Sequence, residues 1–132
     1  MTKLIQTIDQ RFNWRWLKAV ADWTIEKAIT IQQIPAPTFA EGERANYVMN
    51  QFKLMGLDSV SMDERFNVYG RMAGISGEPA LMVVAHTDTV FPAETDLTIQ
   101  RANSLVYGPG LGDNSLGVAG LLALMDVYGS NR

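Results

Sequence analysis

The stretch Leu81-Met82-Val83-Val84-Ala85-His86-Thr87-Asp88 constrains this chain more than any other. Five apolar residues in succession, with no polar alternate, predict a β-strand buried on both faces, the kind found inside a helix-covered sheet. In such sheets ligands gather at the carboxyl ends of the strands, and this run closes there on His86, the sole histidine of the sequence. Residues two apart on an extended chain point to the same side, so Asp88 can reach the His86 ring or whatever that ring holds. A carboxylate behind a metal-binding imidazole fixes its tautomer and raises its basicity. A solitary histidine at a strand end is also a common satisfied or exposed residue, so the pair needs a second motif.

Composition narrows the class. With 132 residues, 47% of them hydrophobic and 19% charged, the chain can bury one core and shows no fibrous or disordered bias. A net charge of -3, with scattered lysines and arginines, offers no basic field for phosphate backbones, so no nucleic-acid partner is expected. The absence of cysteine excludes disulfides and thiolate metal sites. The stretch from Met1 to Asp9 is too polar for the apolar core of a signal peptide, and no run approaches membrane-spanning length. A soluble cytoplasmic protein without membrane contact is the expectation.

In chain order, Trp14, Leu17, Ala21, Ile25, Ala28 and Ile29 recur at three and four, which predicts an amphipathic helix from about Trp14 to Ile31 that stops before Pro35. Trp16 and Trp23 fall off that stripe. The segment Ile34-Pro35-Ala36-Pro37 reads as a stiff connector. Thr38-Phe39-Ala40-Glu41 has the form of a capping box and predicts a second helix, with Ala45, Val48, Met49, Phe52 and Met55 inward and Gly56 as its left-handed stop. Short strands are predicted at about Ser59 to Met62 and Asn67 to Met72, with a turn through Gly74, Ser76, Gly77 and Pro79 before the organising run. Thr98 to Arg101 and Leu105 to Tyr107 read as two more strands, joined across Ala102-Asn103-Ser104. The last element, from about Ser115 to Tyr128, is apolar all round, the mark of a buried helix. Together these predict an α/β fold, a mixed sheet flanked by helices in an α/β/α sandwich.

The second motif is Gly108-Pro109-Gly110-Leu111-Gly112-Asp113-Asn114-Ser115-Leu116-Gly117, a glycine-rich turn with one carboxylate at a helix entrance. Glycines let backbone approach a bound ion or group closely. Asp113 or Ser115 could instead simply cap the helix. A phosphate-binding loop fits poorly, because no Lys-Ser or Lys-Thr follows and an aspartate would repel phosphate oxygens.

Taken together, His86-Thr87-Asp88-Thr89-Val90, then Tyr107-Gly108-Pro109-Gly110 and Gly112-Asp113-Asn114 leading into an apolar helix, resemble the amino-terminal part of the co-catalytic zinc peptidases and amidohydrolases. That family includes acetylornithine deacetylase, succinyl-diaminopimelate desuccinylase, aminoacylase, tripeptidase and the glutamate carboxypeptidases. Ile34-Pro35-Ala36-Pro37-Thr38 and Glu41-Gly42-Glu43 are similar to its first loop and second helix. The resemblance implies that His86 ligates one zinc, that Asp88 orients His86 as a catalytic residue, and that Asp113 bridges two zincs. It implies a cis peptide at Asp113-Asn114, and as substrate a peptide or an N-acyl amino acid.

The sequence departs from the family pattern after Asp113. The complete family site needs a general-base glutamate, further acidic ligands and a second histidine later in the chain, whereas here the last glutamate is Glu94 and the sole acid after Asp113 is Asp126. Residues 1-132 are therefore expected to be the amino-terminal part of a catalytic domain, lacking the dimerisation domain, with at most one partial zinc site and negligible activity alone. An exposed sheet edge capable of self-association is expected too. Two alternatives stay open: a non-catalytic module that binds metal or a partner chain, and a nucleotide-binding module.

Overall fold

The computed structural model describes residues 14–74 and 78–129, so the readings placed on Met1 to Asp9 and on Ser76 and Gly77 lie outside the described residues. The elements are α1 (Trp14–Gln32), α2 (Gly42–Leu54), β1 (Asp58–Met62), β2 (Val68–Arg71), β3 (Gln100–Ala102), β4 (Leu105–Tyr107) and α3 (Leu116–Gly129). The α/β class holds, with the sheet present as two separate antiparallel pairs, β1 with β2 and β3 with β4. No described helix is long and apolar enough to cross a membrane.

The three helices meet in one core. Ala28 and Ile31 of α1, Val48 and Phe52 of α2, and Val118, Ala119 and Leu122 of α3 form it, with Leu57 just before the first hairpin and Val60 and Val68 within it packed alongside. The predicted stripe of α1 reaches this core only through its carboxy-terminal half, since Leu17 and Ile25 are exposed and the off-stripe Trp23 packs inward. In α2 the predicted face is buried at Ala45, Val48 and Phe52. Its end follows the expected chemistry: Gly56 takes φ 72°, its N–H donates to Lys53 O, and the Leu57 N–H donates back to Phe52 O at 3.1 Å.

Three expectations need correction. α2 starts at Gly42 with Glu41 as its cap residue, and the Thr38 hydroxyl does not close a capping box because it is turned toward Asp88. Only the reach-back of Glu41 survives, as an acceptor for the Phe39 N–H at 2.7 Å. α3 is not buried all round: Val118, Ala119, Leu122 and Ala123 face the core, while Leu116 and Gly120 are exposed.

The largest correction concerns the run itself. Leu81 to Ala85 forms no strand, and Leu81, Met82 and Val84 are 86%, 76% and 78% exposed. A buried strand needs a hydrogen-bonded neighbour on each side. Among the described residues the run has none, and the segment's one ladder contact is an isolated parallel bridge between Pro37 and Thr89. Apolar sequence states what an interior would tolerate; it does not supply the cover.

Candidate metal centre

The site forms where the end of the run meets the entrance of α3. The His86 Nε2 lies 3.0 Å from Asp113 Oδ1, and its Nδ1 lies 3.1 Å from Asp88 Oδ1. Sequence separation between His86 and Asp113 is large, so the contact comes from the fold. The site is open to solvent, with the side chains of His86, Asp88 and Asp113 54%, 33% and 89% exposed.

The turn before α3 sets the position of Asp113. Gly110 has φ 69°, and a Cβ there would lie 3.0 Å from Thr89 Cγ2, so a glycine lets this turn pass close against the end of the run. Leu111–Ser115 is a kinked turn in which Asp113 and Asn114 leave the helical region, with φ, ψ of -125°, 92° and -133°, 28°, and the Asp113–Asn114 peptide bond within it is cis. The Asn114 amide donates to the His86 carbonyl at 3.3 Å, which ties the turn directly to the histidine's own backbone. Gly117 makes that possible, because a Cβ at Gly117 would collide with the Asn114 side chain. Neither Asp113 nor Ser115 serves as the helix cap. Asp113 faces His86, and Ser115 Oγ is buried without a hydrogen-bond partner among the described residues.

The first loop holds the other side. The Thr89 N–H donates to Ala36 O at 2.8 Å, and the Thr38 hydroxyl donates to Asp88 Oδ2 at 2.8 Å. Arg44, only 2% exposed, sends Nε and Nη2 to Ile34 O and Nη1 to Thr87 O, at 3.0, 2.5 and 2.9 Å. Burial pushes the Arg44 guanidinium below its ordinary pKa, opposed by the nearby negative charge of Asp88. The Thr38 hydroxyl holds the Asp88 carboxyl below the usual carboxylate range; partial burial works against it and the His86 hydrogen bond works with it.

Sequence reading missed Arg44, Thr38 as a partner of Asp88, and Gln32. Gln32 is fully buried at the end of α1 and donates to Leu97 O and Pro109 O, fixing the glycine-rich turn from behind. A glutamine and an arginine at buried helix positions leave no periodic signal. The two prolines and Thr38 marked the loop as stiff and polar, but not what it would touch.

The donor chemistry suits a cation. Asp88 and Asp113 as carboxylates only accept hydrogen bonds, and a neutral imidazole carries one proton. With that proton on Nδ1 toward Asp88, the Nε2 lone pair faces Asp113 Oδ1, and a cation between them satisfies both. Two ligands of one tetrahedral zinc, each bonded at about 2.0–2.2 Å, stand about 3.3–3.6 Å apart, so the 3.0 Å separation here would need to widen by a few tenths of an ångström to admit the ion. The pair therefore fits in kind and, with that widening, in spacing. It does not fit in number, because no group of three or more His, Cys, Asp or Glu residues comes together among the described residues.

Comparison with protein families matches residues 67–132 to the model described as Peptidase family M28. The match takes in the run, His86, Asp88, the glycine-rich turn and Asp113, which are the parts that converge in the structure. With half of its length matched, the chain belongs to Peptidase family M28.

Proposed function

We propose that His86 and Asp113 are ligands of a zinc ion in a metallopeptidase that hydrolyses a peptide or N-acyl amino acid amide bond, and that Asp88 orients His86. The observation that carries this reading is the facing of Nε2 and Oδ1 at 3.0 Å with Asp88 behind the ring. The motifs around His86 and Asp113 support a kinship with the acetylornithine deacetylase, desuccinylase, aminoacylase and glutamate carboxypeptidase type, in which Asp113 would be the carboxylate shared by two zincs. Such ions, when bound, polarise an amide carbonyl and lower the pKa of a bridging water.

This chain's own residues do the positioning. Asp88 accepts a hydrogen bond from the Nδ1–H, with its carboxylate at 3.1 Å and its own carbonyl at 3.2 Å, and so leaves Nε2 free, while Asn114 and Gly117 hold the Asp113 turn against the His86 backbone. Catalytic zinc sites use three protein ligands and a water. Two donors converge here, so we read the chain as carrying half a site and hydrolysing amides negligibly by itself. A general base, which no described glutamate supplies beside this pair, contributes about 10²- to 10⁴-fold.

Calorimetric zinc titration of the full chain tests the reading. One weak zinc per chain is expected, abolished in both His86→Ala and Asp113→Ala. Absence of binding in the unaltered chain, or binding indifferent to His86→Ala, would overturn it. Amide hydrolysis by this chain with zinc at rates ordinary for peptidases would refute the half-site reading. The exposure of Leu81, Met82 and Val84 supports a further proposal, that two copies of the chain associate through this uncharged run.

A further inference from the structure

We propose that Thr38 is a positioning residue of this site: its hydroxyl fixes the Asp88 carboxylate in the orientation that aims the His86 ring at Asp113. The inference rests on reading His86 and Asp113 as cation ligands, and extends that site to a residue of the first loop. The two carboxylate oxygens of Asp88 are divided between neighbours, Oδ2 accepting from Thr38 Oγ1 at 2.8 Å and Oδ1 facing His86 Nδ1 at 3.1 Å. The carboxylate cannot turn without giving up one of them. Because the Asp88 side chain is one-third exposed, water competes for Oδ2 wherever the hydroxyl is missing.

The hydroxyl has no better use. Helix α2 takes Glu41 as its cap residue, and the approach of Thr38 Oγ1 to Thr89 O, at 3.5 Å, is too long to compete for the single hydroxyl proton. Its placement is also rigid. The loop carrying Thr38 is bound to the His86 segment through the Pro37–Thr89 bridge, the Thr89 N–H to Ala36 O bond, and the guanidinium of Arg44 spanning Ile34 O and Thr87 O. Backbone and buried cation set the distance between the two segments; Thr38 converts that distance into a side-chain orientation.

The test uses the full chain, labelled with ¹⁵N in the imidazole; with a single histidine, every ring signal belongs to His86. Thr38→Val keeps shape and removes the hydroxyl, and Thr38→Ser keeps the hydroxyl. Without metal, at a pH where the ring is neutral, the Nδ1-protonated tautomer is expected to dominate in the unaltered chain and in Thr38→Ser. In Thr38→Val the balance is expected to move toward the Nε2-protonated form, with zinc affinity lowered about tenfold. A tautomer balance in Thr38→Val equal to that of the unaltered chain, with far-UV circular dichroism unchanged, would overturn the proposal. Failure of the unaltered chain to bind zinc would instead sink the metal reading, while the metal-free tautomer measurement still decides the role of Thr38.

Discussion

Two parts of one segment behave in opposite ways. Thr87 to Thr89 is gripped through Arg44, Ala36 and Thr38, and Thr89 is buried. Leu81 to Val84, a few residues upstream, points its side chains outward and makes no backbone hydrogen bond to any described residue. The most apolar stretch is among the least covered, and a charged side chain, Arg44, is among the most deeply buried. Order at the candidate site thus comes from polar partners supplied by the first loop and by α2, not from the grease of the run.

The largest effect that could break this comparison is at Arg44. Replacing it with Met removes three hydrogen bonds and leaves the Ile34 and Thr87 carbonyls without their partner, a loss of about 3 kcal/mol in urea unfolding. Arg44→Lys should restore little, because an ammonium lacks the planar fork that spans both carbonyls. Next comes Gly117→Ala. In an exposed helix interior this change stabilises by up to about 1 kcal/mol. Here the added Cβ collides with Asn114, so thermal unfolding should show a loss of about 1–2 kcal/mol instead, with a shifted His86 ring signal.

A pH series extends the point that polar grips do the ordering. At the β1–β2 turn, Asn67 most strongly, with Arg65 and Tyr69, holds the Asp63 carboxyl below its ordinary range. A carboxyl lowered on folding adds stability that is complete above its unfolded pKa, about 3.9, and is lost as pH falls through the lower folded value. Unfolding followed from neutral to acid pH should show that loss, and Asp63→Asn should flatten it. The smallest effect on stability belongs to the run: Val84→Lys should change unfolding by no more than about 0.5 kcal/mol. The same change should reduce self-association in sedimentation velocity, and a core-sized destabilisation would show that the run is covered after all.

Local chemistry was legible in the sequence, and cover was not. The spacing of Ala45, Val48 and Phe52, the stop at Gly56 and the two hairpins follow from short-range rules that hold in the structure. His86 and Asp113 could be paired because each sits at the end of a recognisable pattern, a run and a glycine-rich turn. The exposure of Leu81 to Val84 could not be read, since periodicity reports fitness for an interior and burial depends on neighbours far away in sequence. The capping-box pattern points Thr38 at the nearby Glu41 amide, whereas its hydroxyl reaches a carboxylate fifty positions on. Gln32 and Arg44 were invisible for a related reason: a polar side chain at a buried helix position betrays itself only through the carbonyls it serves.

The central claim is that the free nitrogen of His86 and the carboxylate of Asp113 share one cation. Zinc added to the ¹⁵N-imidazole chain measures it directly. The account predicts that the Nε2 resonance shifts on binding, that Nδ1 keeps its proton, and that Asp113→Ala removes the shift. Coordination through Nδ1, or an Nε2 shift that persists in Asp113→Ala, would contradict it.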